Sequence, residues 1–187
     1  EGCDIQATDF ALDWPNGTRI QLTVDGKTCQ ARTCLLGRVM VYPVLAAVAV
    51  GLSQGRDLSE LLAAVQSVQP ARARLRPVEL SCGAFLLRDE CKSTLETIHA
   101  GLDVLQEIPA RRKFVILGGI SEPPSPQGPA YRALGERVAS MAERAVFVGE
   151  KRIFRYYVPG AARAGMPREA MHSVPESPLA ALGALPR

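Results

Sequence analysis

The chain has 187 residues, 47% of them apolar and 22% charged, with a net charge of +3 at pH 7. A globular protein of this length buries roughly 70% of its unfolded surface, so a core can form without disulfides. The small positive excess is scattered along the chain. It lacks the basic stripe with aromatic partners of a nucleic-acid-binding face, and nucleic acid is excluded as an expected partner.

Sulfur and imidazole ligands are few. Five cysteines, an odd number without a CxxC pair, predict reduced thiols rather than a disulfide framework. The two histidines, His99 and His172, lie far apart and assemble no zinc site. The most apolar stretch, residues 39–52, is shorter than the roughly 20 residues that cross a bilayer, and the first residues lack a signal peptide's apolar core. We therefore expect a cytoplasmic protein without a membrane partner or a metal site.

The first part of the chain predicts an antiparallel meander over residues 7–36. Residues 18–24 alternate polar and apolar side chains, as a half-buried strand does. Asp25-Gly26 follows at once and tolerates the positive φ of a tight hairpin, so residues 27–36 would form the return strand.

Two helices are predicted after Gly37. The first is apolar throughout, contains small alanines that suit close packing, and ends at Gly55. The second can be capped by Asp57 or Ser59 and ends near Val68.

A basic connector bounded by prolines, residues 70–77, is the predicted domain boundary. Beyond it, a hairpin is predicted around Cys82-Gly83. Ser93 and Glu96 have the spacing of a capping box that opens a helix.

The remaining sequence alternates short strands with helices. Residues 114–117 and 145–148 are continuous apolar runs, typical of parallel strands buried on both faces. The proline-rich residues 121–129 predict a loop that a helix follows, and further helices are predicted over residues 151–165 and 178–185. This alternation predicts an open α/β sheet in the second domain.

Four segments, taken in chain order, carry a family resemblance. Residues 37–47 read Gly-Arg-Val-Met-Val-Tyr-Pro-Val-Leu-Ala-Ala, and residues 69–75 read Gln-Pro-Ala-Arg-Ala-Arg-Leu. Residues 86–95 read Leu-Leu-Arg-Asp-Glu-Cys-Lys-Ser-Thr-Leu, and residues 115–122 read Val-Ile-Leu-Gly-Gly-Ile-Ser-Glu. Together they resemble the Mur ligases, above all the MurF-like branch. These ATP-dependent enzymes add amino acids or dipeptides to cell-wall precursors.

The resemblance implies a fold in two parts. Residues 1–70 would be the end of the family's central ATPase domain, a β-meander and two helices. Residues 75–187 would be its carboxy-terminal Rossmann-like α/β domain without the last strand, which carries a Lys-Gly-Ser-Arg signature in the family.

The resemblance also implies site residues. Arg74 matches the hinge arginine that contacts ATP phosphates, although Ala73 replaces the glycine before it. Asp89 matches an aspartate near the ribose and follows a predicted strand, where an α/β sheet presents its binding edge. Lys92 replaces an asparagine near the incoming amino acid, so it is the candidate substrate-binding residue. No catalytic residue is assigned.

Several family features are replaced or absent. Met40 and Pro43 stand where two asparagines lie beside adenine, Gly119 replaces an aspartate, and Tyr131 replaces a histidine. The GxxGKT-like P-loop, the magnesium-binding residues and the carbamylated lysine have no counterpart in the sequence.

Three hypotheses follow. The chain is part of a working ADP-forming amide ligase, completed by another polypeptide or domain that carries the P-loop, and binds ATP and magnesium only then. Alternatively, it is a degenerate Mur-like protein that binds or scaffolds rather than catalyses. A homo-oligomer is expected to be possible under either hypothesis. The third hypothesis is an unrelated α/β domain. In each case, catalysis by these residues alone is not expected.

Overall fold

The computed structural model describes residues 5–175. Its strands and helices follow in chain order: β1 Ile5–Asp13, β2 Gly17–Val24, β3 Lys27–Thr33, α1 Val41–Ser53, α2 Leu58–Ser67, β4 Arg76–Glu79, β5 Phe85–Arg88, α3 Leu95–Glu107, β6 Phe114–Leu117, α4 Gln127–Ala139, β7 Arg144–Val148, α5 Lys151–Arg163 and β8 Met171–Val174. Short 3-10 turns precede α1 and β8. The helix predicted over residues 178–185 lies outside the described residues.

The described residues form two compact units. The first runs to Cys91 and includes Asp103–Ile108. The second contains Lys92–Leu102 and the described residues from Pro109 onward. Helix α3 therefore contributes residues to both units.

The predicted meander is confirmed in the first unit. Strands β1, β2 and β3 form one antiparallel sheet in that order, with a bulge between Ala7 and Asp9. Asp25 and Gly26 have φ of 47° and 76°, so both turn residues adopt the positive φ that their sequence allows.

Apolar residues of β2 and α1 form the main core of the first unit. Every second residue of β2 is buried, because alternate side chains of a strand point to the same face. The buried members of this core are Ile20, Leu22, Val24, Ala31, Val41, Val44, Val48 and Val65.

A second core holds the β4–β5 hairpin in the first unit. Leu36, Leu75, Val104 and Ile108 are buried together, with Leu87 packed against them. The compact units consequently divide after Cys91, which differs from the predicted boundary at residues 70–77. Prolines and arginines indicated a solvated connector there, but Leu75 is only 3% exposed.

The second unit is an α/β layer. Strands β6, β7 and β8 are parallel and adjacent in that order, connected through α4 and α5. The predicted pairing of residues 114–117 with 145–148 is confirmed, as is a helix within residues 151–165. This arrangement is Rossmann-like. Strand β8 was not predicted, because polar His172 and Ser173 interrupt its apolar run.

Two predicted helix starts shift. Thr94 replaces Ser93 as the cap of α3, because its hydroxyl accepts the Thr97 amide at 3.4 Å. Helix α4 begins at Gln127, inside the predicted loop. Pro129 lies in its first turn, where the missing N–H costs nothing.

Candidate functional site

Arg74 lies in a tight turn that ends the connector. The Arg74 amide donates to the Ala71 carbonyl at 3.2 Å. Ala73 and Leu75 both have positive φ, at 59° and 43°. The turn buries Leu75 and leaves the Arg74 side chain exposed.

Asp89 fixes this turn from the neighbouring chain segment. Its carboxylate Oδ1 accepts the Leu75 amide at 3.1 Å, and the Cys91 amide donates to the Ala73 carbonyl at 3.0 Å. Residues 69–75 and 86–95, two of the segments that resemble Mur ligases, thus meet in the first unit. Arg74 lies near Asp89. The structure brings together the two predicted nucleotide-binding residues.

The expected position of Asp89 requires correction. The sequence placed it after a strand at the binding edge of an α/β sheet. Strand β5, which precedes it, instead pairs with β4 in a separate antiparallel hairpin. The prediction failed because a four-residue apolar strand does not show which sheet it joins.

Charges alternate around the turn. Burial raises the pKa of the Asp89 carboxyl, whereas the Leu75 amide and the Arg74 charge act in the opposite direction. The Arg88 Nε donates to Glu90 Oε1 at 2.9 Å. This bond lowers the pKa of Glu90, and the charge of Arg72 adds to the effect. Asp89 is therefore influenced by the Arg74 charge, and Glu90 by the charges of Arg88 and Arg72. The Arg74 side chain is exposed and can contact an external anion.

Lys92 lies in the second unit, unlike Arg74 and Asp89. Its Nζ is 2.9 Å from Glu122 Oε1, and both side chains are at least half exposed. Beside them, the Ser93 amide donates to Ser121 Oγ at 3.1 Å, and the Ser121 amide donates to the Ser93 carbonyl at 2.8 Å. Residues 86–95 and 115–122, two of the segments that resemble Mur ligases, therefore meet at the loop after β6.

Two tyrosines hold that loop. The Ile120 amide donates to the Tyr131 hydroxyl oxygen at 3.1 Å, and the Tyr157 hydroxyl donates to the Gly118 carbonyl at 3.0 Å. Burial raises the pKa of Tyr157, so its phenol stays protonated and donates. The sequence indicated Tyr131, as the residue that replaces a family histidine, but Tyr157 was not identified. Its spacing with Phe154 and Ala161 on one apolar helix face was the available signal.

The two residues that stand in place of the family's asparagines have other surroundings. Met40 packs against the core that contains Leu36, and Pro43 is exposed in the first turn of α1. Neither side chain can read adenine by hydrogen bonds. Gly26-Lys27-Thr28 shares the last letters of a P-loop. It lies at a hairpin turn rather than at a helix N-terminus, where backbone amides would cradle a phosphate.

No group of three or more metal-ligating side chains occurs among residues 5–175. Within the same residues, no helix is long and apolar enough to cross a bilayer.

Comparison with known proteins finds Mur ligases among the similar chains. No family model matches the chain. Over 148 residues it is 29% identical to the Escherichia coli UDP-N-acetylmuramoyl-tripeptide–D-alanyl-D-alanine ligase, covering 75% of this chain. A crystal structure of MurF from Acinetobacter baumannii superposes over 92% of this chain with a TM-score of 0.78 and 22% identity. The predicted resemblance to Mur ligases, MurF among them, is confirmed over most of the chain. This similarity in sequence and fold counts against the hypothesis of an unrelated α/β domain.

The match covers only part of each relative. This MurF-like chain spans 32% of the Escherichia coli ligase and 36% of the Acinetobacter baumannii MurF. A MurF from Thermotoga maritima in complex with ADP covers 98% of this chain with a TM-score of 0.70 and 13% identity, and 45% of that chain is matched.

Ala73→Gly is expected to stabilise the protein by about 0.5–1 kcal/mol. A left-handed conformation costs a non-glycine residue roughly 1–2 kcal/mol, and the greater freedom of unfolded glycine offsets part of the gain. Urea unfolding measures the change. Ala71→Gly, in the same loop without positive φ, is the control and should destabilise slightly. A lower stability for Ala73→Gly than for wild type contradicts the strain.

Asp89→Ala is expected to lower the free energy of unfolding by about 1–3 kcal/mol, because the Leu75 amide loses its acceptor in a half-buried place. Asp89→Asn retains an oxygen acceptor and should lose less than about 1 kcal/mol. Urea unfolding of both variants separates acceptor from charge. Equal losses would show that the charge, not the hydrogen bond, stabilises the turn.

Proposed function

We propose that this chain is the carboxy-terminal part of a MurF-like, ADP-forming amide ligase that acts on peptidoglycan precursors. A P-loop half, in another polypeptide or elsewhere in a longer chain, completes it. The observation that carries the proposal is the match to MurF structures over nearly the whole chain, against about a third of theirs. The printed activity of the Escherichia coli relative and the ADP bound to the Thermotoga maritima MurF support the reaction class.

The described residues can contact the phosphates and the ribose of a nucleotide, but they offer no hydrogen bonds to its adenine. Arg74 is exposed, and its planar guanidinium suits a phosphate. Asp89 positions that turn through the Leu75 amide and can also meet the ribose. ATP and magnesium would supply the activated acyl phosphate, while this chain's Arg74 would hold phosphate oxygens and stabilise their charge.

The Lys92–Glu122 pair is the proposed contact for the incoming amino acid. Its exposed ammonium and carboxylate match the two charged ends of a zwitterion. A ligand carboxylate would take Lys92, and its amine would take Glu122, in exchange for their mutual ion pair. Exposed ion pairs contribute little stability, roughly 0–1 kcal/mol, so the exchange costs little.

A degenerate scaffold or binding protein is the second candidate. The observation that favours it is the loss of adenine-reading chemistry, since Met40 packs against the core that contains Leu36 and neither Met40 nor Pro43 has a side-chain amide. The two candidates differ in what happens when a P-loop half is present.

The isolated chain is expected to bind Mg-ATP weakly or not at all, because it lacks a P-loop and adenine-reading side chains. Isothermal titration calorimetry tests this, with wild type alone and with an added P-loop half of a relative. Binding only in the mixture fits the ligase proposal. A dissociation constant near micromolar for the chain alone, roughly −8 kcal/mol, would contradict it by revealing an autonomous nucleotide site.

A further inference from the structure

Two buried tyrosines hold the loop after β6 from one side. The Tyr157 hydroxyl donates to the Gly118 carbonyl at 3.0 Å, and the Tyr131 hydroxyl oxygen accepts the Ile120 amide at 3.1 Å. The tyrosines come from two helices, α5 and α4, and they are only 1% and 2% exposed. The side chain of Ile120 is buried as well. The first part of the loop is therefore fixed by groups that are almost completely buried.

The segment before α3 holds the same loop from the other side. Ser121 and Ser93 exchange two hydrogen bonds, at 2.8 and 3.1 Å. The Lys92 carbonyl accepts the Thr97 hydroxyl at 2.9 Å, so α3 in turn holds this segment. Lys92 and Glu122 are the sequence neighbours of the two serines, and their charged groups lie 2.9 Å apart. The main chain next to both charged residues is therefore held by hydrogen bonds.

The spacing of the two charges depends on these main-chain bonds. The side chains of Lys92 and Glu122 are 50% and 72% exposed, so burial does not fix them. A ligand with two charges binds best to groups that already have a matching separation, because less freedom is then lost on binding. The loop that carries Glu122 and the segment that carries Lys92 supply that separation. The tyrosine hydroxyls can thus influence ligand binding without touching the ligand.

We infer that Tyr157 and Tyr131 are positioning residues for the contact with the incoming amino acid or dipeptide, an inference that rests on the proposed function. Their hydroxyls hold the loop after β6, and the loop holds Glu122 beside Lys92. The ammonium and the carboxylate then bind the opposite charges of the zwitterion. Loss of one hydroxyl should weaken binding of the zwitterion but not of ATP, because the proposed nucleotide contacts lie in the other unit.

Binding of D-alanyl-D-alanine to the full chain tests this role. NMR titration measures the dissociation constant and the fraction of protein that binds, with the chain alone and with Mg-ATP and a P-loop half of a relative. Tyr157→Phe and Tyr131→Phe each keep the ring and should weaken dipeptide binding about fivefold, as the loss of one hydrogen bond commonly does. The matched control Tyr156→Phe, at an exposed tyrosine of α5, should bind as wild type does.

A double-mutant cycle shows whether the effect passes through the charged pair. Glu122→Gln keeps an oxygen acceptor and should weaken dipeptide binding only partly. Adding Tyr157→Phe to Glu122→Gln should then change the dissociation constant little, because residues that act through one contact are not additive. A merely structural role of the tyrosine would instead lower the fraction of protein that binds and leave the dissociation constant unchanged.

Selective weakening by the two hydroxyl deletions, lost in the Glu122→Gln background, supports the positioning role. The role is overturned if both deletions bind the dipeptide as wild type does, if Tyr156→Phe weakens binding equally, or if the losses in the cycle add. It is also overturned if wild type binds no dipeptide, either alone or in the mixture. ADP release from the same mixtures tests the proposed function separately. Dipeptide binding that depends on the hydroxyls, without ADP release, leaves the positioning role standing and counts against the ligase.

Discussion

Gly160→Ala is expected to lower the free energy of unfolding by about 3 kcal/mol. A Cβ at Gly160 would lie 1.9 Å from the Arg132 carbonyl oxygen, and a Cβ at Gly135 would lie 2.2 Å from the Tyr157 carbonyl oxygen. Both obstacles are backbone atoms, so α4 and α5 would have to separate. Their separation would also disturb the Tyr157 hydroxyl bond to the loop after β6.

Gly128→Ala is the matched control for the close contact between α4 and α5. Its Cβ would lie 3.4 Å from Tyr156 Cδ1, an ordinary contact with a side chain. Since alanine favours a helix over glycine by about 1 kcal/mol, this variant should be unchanged or more stable. Urea unfolding of the three proteins measures the difference. Equal midpoints for Gly160→Ala and wild type would contradict the close approach of the helices.

Arg74→Ala is expected to slow ADP release by the completed ligase, at a cost of about 2–5 kcal/mol in activation or binding energy. Removing the guanidinium would leave a phosphate without its donors. Folding should change by less than about 0.5 kcal/mol, because the side chain is exposed. Single-turnover ADP release of the chain mixed with a P-loop half measures the effect.

Arg76→Ala removes the same charge two residues further on, from an exposed position at the start of β4. It should retain nearly all of the rate. Equal rates for wild type and Arg74→Ala would remove Arg74 from the phosphate site and favour the scaffold candidate. Equal losses in both arginine variants would indicate general attraction rather than a specific contact.

The sequence predicted the elements whose signal is local. The apolar runs at residues 114–117 and 145–148 form neighbouring parallel strands as predicted, and Asp25-Gly26 turns the chain tightly. Burial on both faces was wrong for the first of these strands, because Ile116 is 41% exposed. The compact division after Cys91 was not readable, because burial of Leu75 against Val104 and Ile108 depends on contacts distant in sequence. Strand β8 has too few residues, two of them polar, to show a period.

For the candidate site too, sequence indicated which residues to consider but not the contacts that they make with distant residues. Resemblance indicated Arg74, Asp89 and Lys92 by position, but not their contacts. The Asp89–Leu75 bond exists because the turn at Ala73 and Leu75 adopts positive φ, which neither residue type favours. The assignment of residues 1–70 and 75–187 to Mur ligase domains stays a prediction.

ADP formation on addition of the chain to a P-loop half tests the central claim most directly. Acinetobacter baumannii MurF without its matched 36% is incubated with Mg-ATP, a peptidoglycan precursor and D-alanyl-D-alanine, with and without this chain. Our account predicts ADP release that requires the chain, rises with its concentration and reaches saturation. ADP release at the same rate with and without the chain would contradict the claim that it completes a MurF-like ligase.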